Sequence, residues 1–184
     1  ARIVHCCGFD SIPSDLGVHF LQREAQRRFG EPCERVKMRV KSVRGGISGG
    51  TAASMLNLVS EPTKHPSMLA DLATPYSLCP RDGLKRPRQP EVRVAQYDAD
   101  FRAWIAPFLM SAINTRIVHR SNALAGAAYG ADFRYDEAMI TGRGVTGGLA
   151  AGALTAGMGG LALAGALPPS RWALQRFVLP APGE

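Results

Sequence analysis

The chain has 184 residues, 46% of them hydrophobic, so it is long enough to bury the core of one domain or of one and a half. Its formal net charge is +7, from 22 basic and 15 acidic residues. This charge suits either a solvated basic surface or an anionic partner, such as a phosphate-bearing cofactor, an acyl thioester or a lipid surface. The basic residues are not part of any nucleic-acid-binding motif, which argues against nucleic acid as the partner.

Cysteine and histidine usage bears on metal binding and on the cellular compartment. The four cysteines form no CxxC pair and the four histidines are scattered, so the spacing predicts no metal site. Cys6 and Cys7 are adjacent within an apolar run, and we expect them to be core thiols rather than a disulfide. A reducing, cytoplasmic compartment follows as the expectation, since no signal peptide pattern opens the sequence.

Residues 1–17, ARIVHCCGFDSIPSDLG, predict a buried strand that turns at Gly8 and opens a helix over residues 14–29. Gly8 allows close approach of a ligand, Asp10 or Ser11 can cap the helix, and Pro13 is tolerated in its first turn. Open α/β sheets bind ligands where a strand feeds a helix N-terminus. The alternative is an ordinary capped corner that binds nothing. The predicted core stripe of the helix is Val18, Leu21, Ala25 and Phe29.

Residues 34–44 alternate valine, methionine and serine with basic residues, which predicts a half-buried strand with one charged face. The GGISGG turn follows and leads into a second helix from Thr51. Its glycines expose backbone N–H groups, so with Ser48 or Thr51 it could hold an anion or a carbonyl oxygen. A glycine-rich connection with a threonine cap explains the same residues.

The next segment is rich in proline and charge. We expect a short helix over 65–73 and a loop over 75–91, which either covers an active site or is a plain surface excursion. A strand is predicted over 92–98, the longest helix over 104–124 and a further strand over 129–138. Arg116 and Arg120 lie one helical turn apart and could bind the phosphate of a cofactor or of a pantetheine arm. A solvated or ion-paired helix face is the alternative.

Residues 144–167 carry no charge and consist mostly of glycine, alanine and leucine. Their number fits a membrane span, but alanine and glycine contribute little apolar transfer energy. Three interpretations stay open at this point. The segment is a helix packed on the protein or at a dimer interface, a segment that associates with a lipid surface, or a true span.

Five stretches resemble a known family, and they occur in the same order as in that family. They are CGFDSIPSDLG at 7–17, SGGTAAS at 48–54, WIAPFLMSAINTRIVHRSNAL at 104–124, YGADFRY at 129–135 and LPAPGE at 179–184. The chain resembles the saccharopine-dehydrogenase-like oxidoreductases, which include the mycobacterial trans-acting enoyl reductases. In that family a Rossmann half with a glycine fingerprint precedes the first stretch. No such fingerprint stands before Cys7 in this sequence, so we expect the chain to be the middle piece of a longer oxidoreductase.

The resemblance implies an α/β protein with an α+β substrate domain. Its expected parts are a terminal Rossmann strand-helix unit (1–30), a small mixed sheet with helices (31–141) and an apolar helical tail (142–184). It also implies NAD or NADP as cofactor and hydride transfer on a lipid-like or acyl-thioester substrate. The expected catalytic carboxylate is Asp10, with Gly8, Phe9 and Ser11 at the nicotinamide end. The residues expected on the substrate side are Ser48, Gly49, Gly50, Thr51, Asn114, Arg116 and Arg120.

Two other functions fit the sequence. The chain could be a non-catalytic lipid-surface or scaffold protein that keeps the oxidoreductase fold and is anchored by its tail. It could also be a saccharopine-type amino-acid dehydrogenase, which suits the apolar tail less well. A homo-oligomer and a location peripheral to a membrane are compatible with each of these expectations.

Overall fold

The computed structural model describes residues 6–8, 11–43, 71, 73–81, 83 and 85–177. Within them, helices and a small mixed sheet form an α+β arrangement, which confirms the predicted fold class. The elements are α1 (Ile12–Phe29), β1 (Arg35–Val40), β2 (Gln96–Asp98), β3 (Ala103–Pro107), α2 (Ser111–Leu124), β4 (Arg134–Gly142), α3 (Gly144–Ala166) and α4 (Pro168–Phe177). The division into parts at residues 30 and 141 stays a prediction.

The described sheet has the order β1-β4-β3-β2. β1 pairs with β4 in parallel, with Val36 beside Tyr135 and Met38 beside Glu137. β4 pairs with β3, and β3 with β2, both antiparallel. Because β4 lies between β1 and β3, side chains that are far apart in the sequence meet around it.

α1 begins and ends where the sequence predicts, within two residues. Proline stands in its first turn, and Gly30 ends it with a φ of 80°, a left-handed conformation that glycine adopts without strain. The core stripe was only half right. Val18 and Ala25 are buried, whereas Leu21 and Phe29 are exposed.

The buried face of α1 instead includes two polar side chains. Gln22 is 3% exposed because its amide bonds the backbone of Cys33 twice: Nε2 donates to the carbonyl at 2.9 Å, and Oε1 accepts from the N–H at 2.7 Å. Ser14 is also buried and donates to the sulfur of Met38 at 3.4 Å. These partners offset the cost of burying polar groups, which hydrophobic periodicity alone does not anticipate.

Three other local predictions need correction. The helix expected over 104–124 is a strand, β3, followed by α2. Pro107 lacks the N–H that a helix interior needs, while the preceding residues pair with β2 and β4. Cys6 and Cys7 are exposed and lie outside any strand, so they are not core thiols. The strands expected over 92–98 and 129–138 are Gln96–Asp98 and Arg134–Gly142.

The described core has two clusters. One joins α1, α2, β1 and β4 around Val18, Val118 and Tyr135, and Val118 and Tyr135 have no exposed surface. The other is smaller and packs Val92 against Ile105 and Ala138. The sheet is therefore covered on both sides, and polar groups on either side need partners within the protein.

α3 spans the uncharged apolar segment of the sequence. Among the described residues, it is the one helix whose length and composition would allow it to cross a membrane. Its first turns pack on the sheet. A Cβ at Gly147 would lie 2.4 Å from the backbone carbon of Gly142, and one at Gly148 would lie 3.1 Å from the Trp104 ring. Most of its apolar side chains, such as Leu149 and Leu163, are exposed.

Candidate functional site

Ser11 and Asn114, two of the predicted site residues, meet although they stand 103 positions apart. Ser11 lies just before α1 and is 3% exposed, and Asn114 lies in the first turns of α2 and is 1% exposed. The Ser11 hydroxyl donates to Asn114 Oδ1 at 3.0 Å. It makes no cap bond to α1, contrary to one prediction for this residue. The hydroxyl therefore fixes the turn before α1 to α2.

Asn114 continues this contact into the sheet. Its Nδ2 donates to Glu137 Oε2 at 3.0 Å, and the Tyr135 hydroxyl donates to the other carboxylate oxygen. Glu137 is 2% exposed, and no basic side chain of the described chain pairs with it. Two neutral donors thus take the place of water around a buried carboxylate, as burial requires. We call the set Ser11, Asn114, Glu137 and Tyr135 the polar relay.

Tyr135 is a donor in the polar relay at every physiological pH. Burial, reinforced by the neighbouring Glu137 carboxylate, raises the pKa of Tyr135 far above its ordinary value. Its hydroxyl keeps its proton and holds the carboxylate on one side, while Asn114 holds it on the other. The Tyr135 hydroxyl therefore acts as a fixed donor in the relay and does not release its proton near neutral pH.

Gly8 has open space beside it among the described residues. Its carbonyl accepts the N–H of Ile12 at 3.1 Å, and a Cβ placed on it would meet none of those residues within 4 Å. Gly8 and Ser11 are both expected at the nicotinamide end of a cofactor site; Gly8 is exposed, whereas Ser11 is buried against Asn114. This arrangement fits the approach of a flat ring to the backbone.

Arg116 and Arg120 lie on α2 and reach toward residues 77 and 78. Arg116 Nε donates to the Ser77 hydroxyl at 3.2 Å, and Arg120 Nη1 donates to the Leu78 carbonyl at 2.5 Å. Burial lowers the pKa of Arg116 below its ordinary value. Both guanidinium groups thus hold the loop that precedes residue 80, and their expected role in phosphate binding stays a prediction.

Six of the predicted site residues lie outside the described residues: Phe9, Asp10, Ser48, Gly49, Gly50 and Thr51. Their expected roles stay predictions. Ser11 is the described residue that adjoins Asp10, the expected catalytic carboxylate, in the sequence.

Sequence reasoning missed a second buried polar cluster. The basic face of β1 is covered in part: the Arg35 side chain is half-exposed, whereas that of Arg39 is only 2% exposed. Its Nη2 lies 2.8 Å from Asp98 Oδ2 and 2.6 Å from Asp136 Oδ2, while Lys37 Nζ lies 3.2 Å from Asp98 Oδ1. Burial raises the pKa of Asp98, but hydrogen bonds from Arg39 and Lys37 outweigh it and leave that pKa below its ordinary value.

This cluster lines a recess of about 190 Å³ beside β2. Its charges are paired with one another, so it stabilises the contact of β1, β2 and β4 and offers no unbalanced charge to a ligand. The signal available in the sequence was the acidic pair Asp136 and Glu137 inside an otherwise apolar strand. One of the two faces Arg39 and the other belongs to the polar relay.

Comparison with known proteins gives relatives of one kind. The chain is 43% identical over 148 residues to a protein of Mycobacterium tuberculosis (strain H37Rv) whose name assigns it provisionally as a trans-acting enoyl reductase; the match covers 77% of this chain and 35% of that protein. It is 37% identical over 173 residues to the trans-acting enoyl reductase of Mycobacterium ulcerans and 34% identical over 167 residues to that of Mycobacterium leprae. These two matches cover 87% of this chain and 40% of each relative.

The chain is homologous to part of the trans-acting enoyl reductases, and it spans 35–40% of the length of the relatives compared. No family model and no solved structure matches the chain.

Proposed function

We propose that the chain is part of an NAD(P)-dependent oxidoreductase that reduces an enoyl group in a lipid-like or acyl-thioester substrate. Two findings support the proposal: the relatives named trans-acting enoyl reductase, and the hydrogen bond between Ser11 and Asn114. The hydrogen bond is the observation on which the proposal mainly rests, because it joins the turn expected beside the cofactor to the helix expected beside the substrate.

Reduction of a conjugated carbon–carbon double bond needs a hydride at one carbon and a proton at its neighbour. A bound nicotinamide supplies the hydride. The residues of this chain would position the reactants. Gly8 leaves room for a ligand beside its backbone. The hydrogen bond from Ser11 to Asn114 would anchor the chain next to Asp10. Asp10 would orient the substrate or relay the proton, as a carboxylate at such a corner can.

The substrate side of the proposal uses charge and backbone donors. Arg116 and Arg120 carry positive charge beside the loop at residues 77 and 78, which suits the phosphate of a pantetheine arm. The glycine-rich turn at 48–51 would hold the carbonyl oxygen through backbone N–H groups and through Ser48 or Thr51.

The test uses the protein expressed from its complete reading frame. NADPH oxidation is followed with a trans-2-enoyl thioester and, in a separate assay, reduction of NAD+ or NADP+ is followed with saccharopine, which gives up a hydride. We expect turnover of the enoyl thioester and a loss of about 100-fold or more in kcat for Asp10→Asn, the scale of general acid–base catalysis. The matched control is Asp132→Asn, an exposed position that should keep full activity.

Unchanged turnover in Asp10→Asn would remove the catalytic role of this carboxylate. Turnover of saccharopine without turnover of the enoyl thioester would instead favour the amino-acid dehydrogenase.

A second candidate function rests on the exposed apolar surface of α3. Val145 and Leu149 are 79% and 69% exposed, on a helix with no charged residue. Such a surface favours a lipid-surface protein that keeps the fold without catalysis. Flotation with liposomes discriminates the two: binding that is lost in Leu149→Glu, together with no NADPH oxidation on any enoyl thioester, would support this candidate over the enzyme.

A further inference from the structure

A cavity of about 300 Å³ lies beside the C-terminal half of α2, away from the polar relay. Aromatic rings form one wall: the ring centroid of His119 lies 4.8 Å from that of Tyr76 and 5.9 Å from that of Phe133. Small residues form another wall and leave the space: Ala123, Gly126, Ala127, Gly130 and Ala131. The volume is at the lower end of the range for small-molecule sites.

The cavity is pre-formed, because hydrogen bonds hold both walls. Asn122 Oδ1 accepts the N–H of Tyr129 at 2.8 Å, and its Nδ2 donates to the Gly130 carbonyl at 3.3 Å, which fixes the small-residue turn. The Tyr76 hydroxyl donates to the Pro87 carbonyl at 2.7 Å on the other side. A ligand would not need to order these walls on binding.

One polar atom in this region lacks a partner. His119 is 3% exposed, and its Nε2 is buried with no hydrogen-bond partner among the described residues. Burial, with a smaller effect from the charge of Arg86, lowers the pKa of His119 to about 4. The imidazole is therefore neutral at physiological pH, and a ligand atom could supply the missing hydrogen bond.

The charge at the cavity is positive. Lys85 and Arg86 both line it, and no described carboxylate does. Arg86 also lies over the Tyr76 ring, with its Cζ 5.6 Å from the ring centroid. Cations next to aromatic and small apolar walls suit an anion that carries a flat apolar body.

We infer that the His119 cavity binds a small organic anion, with its flat apolar body against Tyr76 and Phe133 and its phosphate or carboxylate group at Lys85 and Arg86. This site is separate from the turn before α1 and does not depend on the proposed enoyl reduction. It gives Tyr76, Lys85 and Arg86 a binding role in place of the plain surface loop that the sequence allowed.

The test is calorimetric titration of the protein from its complete reading frame with phenyl phosphate, benzoate, inorganic phosphate and benzyl alcohol. We expect saturable binding of phenyl phosphate or benzoate, and the stronger of the two identifies the anionic group. Inorganic phosphate and benzyl alcohol should each bind about tenfold more weakly, since each lacks one half of the ligand. The imidazole nitrogen resonances of His119, assigned with His119→Gln, should shift on titration.

Matched variants locate the site. Ala131→Trp fills the cavity from an exposed lining position and should abolish binding, while Ala128→Trp, on an exposed residue outside the lining, should not change it. Lys85→Gln should weaken binding about fivefold, and Arg88→Gln, an exposed cation outside the lining, should leave it unchanged.

Three results would overturn the inference. They are no saturable binding of either aromatic anion, binding that survives Ala131→Trp, and equal affinity for an aromatic anion and for inorganic phosphate or benzyl alcohol.

Discussion

Replacing Asn114 by aspartate tests the polar relay with a change of a single side-chain group. The amide nitrogen that donates to Glu137 at 3.0 Å becomes an oxygen, so two buried carboxyl groups face each other. At a separation of about 4 Å and an effective dielectric constant near 20, two negative charges repel by about 4 kcal/mol. The introduced group avoids this repulsion only if it keeps a proton, which it can then donate to Glu137 as the amide does.

Keeping that proton has a calculable cost. An aspartate of ordinary pKa, about 3.9, loses about 4 kcal/mol of stability at pH 7 when folding holds it protonated, and about 1.5 kcal/mol at pH 5. The folded-state pKa is raised here, so the stability is present at low pH and is lost as pH rises. Asn114→Asp should therefore lower the free energy of unfolding by about 4 kcal/mol at pH 7, and by much less at pH 5.

Urea denaturation followed by circular dichroism, at pH 5 and pH 7, measures both values relative to the unchanged protein. The double variant Asn114→Asp with Glu137→Gln is the internal control. Its glutamine amide can donate where the asparagine amide did, so stability at pH 7 should return to within about 1 kcal/mol. A loss that does not shrink at pH 5, or that the second change does not rescue, would refute the contact between these residues.

Three further predictions concern stability. Gly147→Ala should cost about 2 kcal/mol by urea denaturation because its Cβ would collide with the backbone of β4, whereas Gly152→Ala, in open space on the same helix, should stabilise by up to about 1 kcal/mol. Arg39→Met should cost about 3 to 5 kcal/mol, since it removes the nearer and more deeply buried of the two cations that pair with each of two buried aspartates. Titrating stability from pH 6.5 down to pH 4 should reveal a loss of about 3 kcal/mol from His119, absent in His119→Gln, because only the unfolded chain takes up that proton.

A specific result would contradict each of these three predictions. Equal stabilities of the two glycine variants would mean that α3 does not approach β4 closely. A cost for Arg39→Met no larger than that for Arg35→Met, a half-exposed cation 3.5 Å from Asp136, would mean that the buried cluster is not anchored by Arg39. If the free energy of unfolding depends on pH in the same way in His119→Gln and in the unchanged protein, the His119 imidazole is not buried in the neutral form.

The elements that the sequence could predict are those with local signals. Pro13 and Gly30 mark the start and the end of α1, and both ends were placed within two residues. Alternation of apolar and basic residues identified β1, and the long uncharged run identified α3. Each signal lies within one element, so it can be read without knowing which other elements pack against that one.

The helix predicted over 104–124 shows where local signals fail. An apolar run precedes the helical pattern of α2 without a break in hydrophobicity, and the two merge into one apparent helix. Pro107 was the available warning, because proline interrupts the hydrogen bonding of a helix interior. Pairing with β2 and β4 decided the outcome, and pairing is a property of distant residues.

Two of the four residues of the polar relay were predicted from the sequence, and none of the contacts between them was. Ser11 and Asn114 were both named from the resemblance, but their contact spans 103 positions and has no local signature. Glu137 and Tyr135 were missed because strand periodicity does not distinguish a buried carboxylate with partners from an exposed one. His119 was missed for a similar reason, since its cavity is formed by residues 76–133 together.

Transfer of deuterium is the most direct test of the proposed reaction. The protein from its complete reading frame is incubated with a trans-2-enoyl thioester and with NADPH deuterated at the transferred position, one sample for each face of the nicotinamide, and the thioester is analysed by mass spectrometry. We predict a saturated product that carries one deuterium from one of the two cofactor samples, and none when Asp10→Asn is used at equal concentration and time. An enoyl thioester recovered unreduced from both samples would contradict the account.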